Sequence, residues 1–226
     1  MVRKPGSMLI SLGMLLILGA AALAAWNWNQ ARQASVSVES AAQQLNQIIV
    51  PQEQPQEQPP MYEGKVLPER SEREYPAYIL NPRMEMPEET INGQQYIGIL
   101  EIPALGLELP IISQWSYPAL KIAPARYVGS AYQDDLVIAA HNFKSHFGRI
   151  NTLAQGERVI FTDVDGNVFV YEAQLIETLR PQAVEEMCSG DWDLTLFTCT
   201  VGGKYRVTVR CSRVEDDPAD SVSLSE

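Results

Sequence analysis

A cysteine, an arginine seven positions later and one of only two histidines are the side chains here best suited to covalent chemistry. Cys199 and Arg206 stand in the run Leu194-Thr195-Leu196-Phe197-Thr198-Cys199-Thr200-Val201-Gly202-Gly203-Lys204-Tyr205-Arg206. Two β-type stretches flank Gly202-Gly203, a dipeptide that readily adopts the positive φ angles of a two-residue hairpin turn. With that turn, Cys199 faces Arg206 across the hairpin, with Cβ atoms about 5 Å apart. Arg210 then faces Thr195, farther from the sulfur. A permanent cation beside a cysteine at a strand end favours the thiolate and can also hold a developing oxyanion. A longer loop would shift this register.

Nucleophilic catalysis also needs a base. His141 directly follows Leu136-Val137-Ile138-Ala139-Ala140, which places it at the tip of a buried strand. The plainer reading of His141 is a hydrogen-bonded core histidine. His146 lies in the polar stretch Asn142–Gly148 and reads as a solvated or helix-start residue. Two histidines and scattered carboxylates offer no ligand cluster of zinc type, so neither metal nor organic cofactor is expected. Of the three cysteines, Cys188 and Cys211 could form a disulfide, leaving Cys199 as the odd thiol. The plainer reading of Cys199 is a small buried hydrophobe.

The elements that must position these residues occupy the C-terminal half. From Gln95 onward the texture is short β-type runs: 96–102, 108–112, 136–140, 158–162, 167–176, 194–198 and 205–211. Many short strands punctuated by Gly and Pro predict an all-β barrel or sandwich over about residues 94–214. Helices are expected only at 147–154 and 183–187.

Ahead of this lie segments of different character. Met8–Trp26 carries no charge and a single polar side chain, Ser11. Its length nearly matches the ~30 Å hydrocarbon core of a bilayer. Arg3 and Lys4 in front favour a cytoplasmic N-terminus, and Trp26 and Trp28 suit the opposite interface. A cleaved signal peptide ending near Ala22-Leu23-Ala24 is the alternative. Residues 1–28 are thus read as cytoplasmic tip and anchor, and 29–60 as a helical stalk followed by a Pro/Gln/Glu-rich spacer that holds the domain off the membrane. Residues 61–93 form an irregular segment packed on the domain, and 215–226 a polar tail. Beyond Lys4 the chain has 15 basic against 28 acidic residues, a balance that excludes nucleic acid as a partner.

Four of these runs resemble one family in the same order. Thr195-Leu196-Phe197-Thr198-Cys199 is similar to the TLxTC signature of sortases, and Arg206-Val207-Thr208-Val209 resembles the arginine-bearing strand that follows it. Ala140-His141-Asn142 resembles the family's histidine at a strand end. Gly98–Pro103 with Pro110-Ile111 resembles its opening strands. The resemblance implies a closed eight-stranded barrel with the active site at one rim, behind a membrane anchor. It implies Cys199 as nucleophile, His141 as acid and base, Arg206 as oxyanion partner and Thr198 at the substrate. It further implies secreted proteins with an LPxTG-like C-terminal sorting signal as substrates, and an amine of the cell wall or of a pilin lysine as acceptor.

Two rivals remain at this point. An L,D-transpeptidase shares the compartment but carries its cysteine in an SHGC-like run, absent here. The other is a non-enzymatic, membrane-tethered surface-binding β domain, in which Cys199 would be inert.

Overall fold

A computed structural model describes residues 5–49, 75–189 and 192–214. The proline-rich spacer, residues 61–74 of the irregular segment after it and the polar tail lie outside the described residues.

The chain opens with one helix, α1 (Pro5–Ile48), unbroken because the stretch holds no proline after its first residue. Short elements follow: α2 (Ala77–Leu80), β1 (Glu89–Ile91), β2 (Gln94–Ile102), β3 (Leu107–Ile112), α3 (Tyr117–Leu120), β4 (Ala125–Val128) and β5 (Leu136–Ala140). The rest are β6 (Arg158–Asp163), β7 (Val168–Leu179), α4 (Val184–Cys188), β8 (Leu194–Cys199) and β9 (Arg206–Arg213).

The strands run β2-β3-β4-β5-β8-β9-β7-β6, and β6 pairs back onto β2. That closes an eight-stranded barrel, as expected, and removes the sheet edges that would otherwise invite pairing with another chain. β1 adds a hairpin to β2 through Asn92-Gly93, a turn signal overlooked in a stretch expected to be irregular. β4 is the other strand not anticipated, four residues long and interrupted by a bulge. The expected helix at 147–154 shrinks to a single 3-10 turn at Ile150–Thr152.

The barrel closes at a backbone contact that only glycine permits. A Cβ on Gly98 of β2 would stand 2.1 Å from the Thr162 carbonyl oxygen on β6. Neither partner is a flexible side chain, so Gly98→Ala must push the two strands apart. We expect a loss near the top of the overpacking range, about 3 kcal/mol, read from thermal melting.

Alternation sorts the side chains of β5, β8 and β9. Their register aligns Leu136, Leu194 and Cys211, then Ile138, Leu196 and Val209, then Ala140, Thr198 and Val207. These form the interior face, and of them all but Val207 are buried. The opposite face carries Val137 and Ala139, Thr195, Phe197 and Cys199, and Arg206, Thr208 and Arg210.

The C-terminal half of α1 belongs to this body. Ala34, Val38, Ala41, Leu45 and Ile49 recur at helical spacing and are buried. Val38, Ala41, Leu45 and Ile49 join the same apolar core as β2 and β3, and Asn46 donates to Glu108 of β3. The stalk therefore lies on the barrel wall. The first part of α1 is long and apolar enough to cross a membrane, and none of that window is buried.

Candidate active site

Site geometry follows from strand register. β5 and β8 are parallel, with Ala140 paired to Thr198, so His141 and Cys199 are the next residues out at the same end. The Thr198 hydroxyl donates to the Ala140 carbonyl at 2.8 Å and ties the two strand ends together. β9 runs antiparallel to β8 and pairs Arg206 with Cys199 and Arg210 with Thr195. Three adjacent strands, about 4.8 Å apart, thus bring His141, Cys199 and Arg206 side by side at one rim.

The expected register holds although the turn is wider than two residues. Thr200 N–H donates to the Tyr205 carbonyl at 2.9 Å, leaving four residues in the loop. Gly202 (φ 85°) and Gly203 (φ 74°) occupy its centre, so the loop lengthens symmetrically and the pairing is unchanged.

Cys199 and Cys188 are both partly exposed, whereas Cys211 is buried. Cys211 is fully buried in the barrel and its thiol is pushed up to about 12 by burial. Burial also raises the Cys188 thiol, which the Arg210 charge partly offsets. All three are free thiols, so the Cys188–Cys211 disulfide is not formed. The reason is placement: Cys211 faces the interior from β9, and Cys188 ends α4 outside it.

His141 is half-buried, with the Phe143 ring 5.2 Å from its own. Burial, and then the Lys121 ammonium, hold its imidazole below the ordinary histidine range. Its backbone is fixed by Phe147 N–H donating to the His141 carbonyl at 3.2 Å. Arg206 directs Nη1 to the carbonyls of Gly203 (3.2 Å) and Tyr205 (3.3 Å), over the hairpin loop. Arg210 is instead 3% exposed and fully engaged. It bonds Glu177 Oε1 at 2.8 Å, the Met187 carbonyl at 2.9 Å, Thr195 Oγ1 at 3.1 Å and the Glu186 carbonyl. It fastens α4 to the outer face of the sheet.

Two expectations need correction. Thr198 was assigned to substrate, but it is 3% exposed, on the interior face, with its hydroxyl committed to Ala140. Alternation turns it away from the face that carries Cys199. His146 was read as solvated or helix-start, yet it is fully buried and neither ring nitrogen has a partner among the described residues. The loop folds back through His146 N–H and Gly148 N–H, both donating to the Phe143 carbonyl, and this tucks the ring inside.

Buried without a partner, the His146 imidazole is pushed down to about 4, mainly by desolvation and then by His141. The unfolded chain, with an ordinary value near 6.5, binds a proton in that interval that the folded chain excludes. Stability is therefore complete above about pH 6.5 and falls as pH drops towards 4, by up to about 3 kcal/mol. The melting temperature of His146→Phe should gain on wild type by this route between pH 7 and 4.5. A constant difference would mean that His146 does not titrate on unfolding.

Sequence reasoning missed an aromatic wall beside the site. Phe197, two residues before Cys199 on the same face, meets Tyr127 of β4 edge-on at 5.3 Å. Tyr127 packs on Trp115 at 5.1 Å, and Trp115 on the exposed Tyr117. The alternation in Arg126-Tyr127-Val128 after Pro124 was the available signal for this strand.

Comparison with known proteins bears on the family. A family model described as the sortase domain matches residues 100–214. Among solved structures, sortase C1 of GBS pilus island 1 is 22% identical with a TM-score of 0.48, over 54% of this chain and 66% of that one. Sortase C from Clostridium perfringens SM101 is 26% identical with a TM-score of 0.46, over 54% and 71%. A Clostridium perfringens sortase C solved with the C-terminal cell wall sorting motif is 23% identical with a TM-score of 0.49, over 58% and 74%. The chain thus spans just under two thirds of the first of these and about three quarters of the last. The search of curated proteins finds no match. With half of its length matched by the family model, and that half forming the barrel that holds Cys199, His141 and Arg206, the chain belongs to the sortase family.

Proposed function

We propose that this chain is a membrane-anchored cysteine transpeptidase with its barrel outside the cell. It cleaves an LPxTG-like sorting signal near the C-terminus of secreted proteins and passes the acyl group to an amine of the cell wall or a pilin. The observation that supports this most is the meeting of His141, Cys199 and Arg206 at one rim of a sortase-family barrel.

The Cys199 thiolate attacks the carbonyl carbon of the scissile bond. Arg206, with a backbone N–H, steadies the oxyanion. The C–N bond breaks, and the leaving amine takes a proton from the His141 imidazolium, leaving a thioester on Cys199. The incoming amine then loses a proton to the His141 imidazole, a new C–N bond forms, and the thiolate leaves. Burial and the Lys121 charge hold the imidazole below the ordinary histidine range, so neutral His141 is the main form at pH 7 and the imidazolium that protonates the leaving amine is the minority form. Phe197, Tyr127 and Trp115 offer apolar surface beside the sulfur for an extended peptide. Thr198 acts indirectly, by holding the ends of β5 and β8 in register.

The test is direct. Incubation with a panel of LPxTG-like peptides should add the mass of the acyl fragment to Cys199, and hydroxylamine should remove it. No adduct with any peptide, together with a Cys199 inert to small alkylating agents, would favour the tethered binding domain instead.

A further inference from the structure

The helix that carries the apolar span is the same helix that forms part of the barrel wall. Trp28 is still exposed, and by Ala34 the helix is buried against the domain. Six residues separate them, about 9 Å of continuous helix with no proline or glycine to act as a hinge. Span and barrel therefore move as one body, and the orientation of the span sets that of the barrel.

The barrel turns the loop beside His141 towards the span. Asn142, Phe143 and Lys144 line a cleft whose other wall is Asn27, Trp28 and Arg32 of α1. Those helix residues sit where the apolar stretch ends, the level at which tryptophans favour the headgroup layer. Lys144 and Arg32 are exposed cations at this level on a chain whose net charge is −11. Anionic headgroups would be repelled by most of this surface and attracted here.

We propose that the loop from Asn142 to Ser145 is a membrane-docking surface that lies in the headgroup layer of an anionic phospholipid bilayer. Resting on the anchor reading above, this places the reaction within a few ångströms of the membrane. Phe143 links the two, since its ring also packs on His141.

The experiment uses the full chain in nanodiscs containing phosphatidylglycerol, with a coumarin amino acid at Asn142 or, as a control, at Asp135. Asp135 precedes β5 and lies about 17 Å farther along the strand direction. Nitroxide-headgroup lipid should quench the label at Asn142 severalfold more than that at Asp135. Lys144→Glu should weaken the quenching in anionic discs and leave it unchanged in zwitterionic ones. A flexible Gly-Ser insertion after Gln30 should abolish the difference, and should slow cleavage of a vesicle-tethered substrate at least tenfold while sparing a soluble peptide. Equal quenching at both positions in the uninserted chain overturns the proposal. The depth reading needs no turnover, so an inactive protein with a quenched Asn142 label would refute the transpeptidase alone. A chain that does not stay in the discs would refute the anchor, and docking with it.

Discussion

Cys199→Ala should abolish cleavage of sorting peptides while leaving the melting temperature within a degree or two of wild type. The sulfur sits at the end of β8, partly exposed, so its loss opens no cavity in the barrel. In the proposed mechanism every covalent step passes through this sulfur. Residual turnover of the variant should be indistinguishable from the uncatalysed reaction in a chromatographic assay. Cys188→Ala should keep wild-type rates, since that thiol ends α4 and forms no disulfide. Cys211→Ala should also keep chemistry but lose about 1 kcal/mol of stability, because it removes a buried sulfur from the core. Cys199→Ser is the sharper control, as it keeps the shape and offers a hydroxyl that no neighbouring base activates as readily as a thiol. Wild-type cleavage by Cys199→Ala would transfer the nucleophile to another residue and dissolve the assignment.

How far the sequence carried this reading differs from element to element. The seven β-type runs correspond to strands because their alternation and punctuation are local properties, and local properties are legible in one chain. Even the Cys199–Arg206 pairing was readable, since a hairpin register depends only on where its turn is centred. The parallel pairing of β5 with β8 was not readable. It joins segments over 50 residues apart, and nothing local in Leu136–Ala140 specifies its partner. That pairing sets His141 beside Cys199, so the site was inferred through resemblance and became geometric only in the fold. Thr198 failed for a related reason: the resemblance implied substrate contact, but period-two alternation turns it to the face opposite Cys199. His146 failed because a polar loop sequence says nothing of whether the loop folds back. The stalk was expected to extend the membrane helix outward, and its stripe of Val38, Ala41 and Leu45 packs on the barrel.

Arg206 and Arg210 should separate cleanly, one through rate and the other through stability. Both lie on the outer face of β9, so alternation cannot choose between them. Register can. Arg206 pairs with Cys199, whereas Arg210 pairs with Thr195, four residues and about 13 Å further along the strand. That distance is too great for a shared oxyanion. Their present partners differ as sharply. Among the described residues Arg206 reaches two carbonyls of an exposed loop, at 3.2 and 3.3 Å, contacts worth at most about 1 kcal/mol. Its removal should leave melting nearly unchanged and lower kcat by about 10²–10³, the usual cost of losing an oxyanion donor. Arg206→Lys should recover part of this, since it restores charge without the planar fork. Arg210 is buried and bonded to Glu177, Thr195 and two carbonyls of α4. Arg210→Ala strands those acceptors and should cost about 3 kcal/mol, the low end for a broken buried pair because Glu177 is 31% exposed and can rehydrate. On a domain of this size that is a fall in Tm on the order of 10 °C. Assayed well below its melting point, Arg210→Ala should stay within a few-fold of wild-type kcat. The opposite outcome, a stable but inactive Arg210→Ala beside an active Arg206→Ala, would require the oxyanion to lie over Thr195 and would move the reaction away from Cys199.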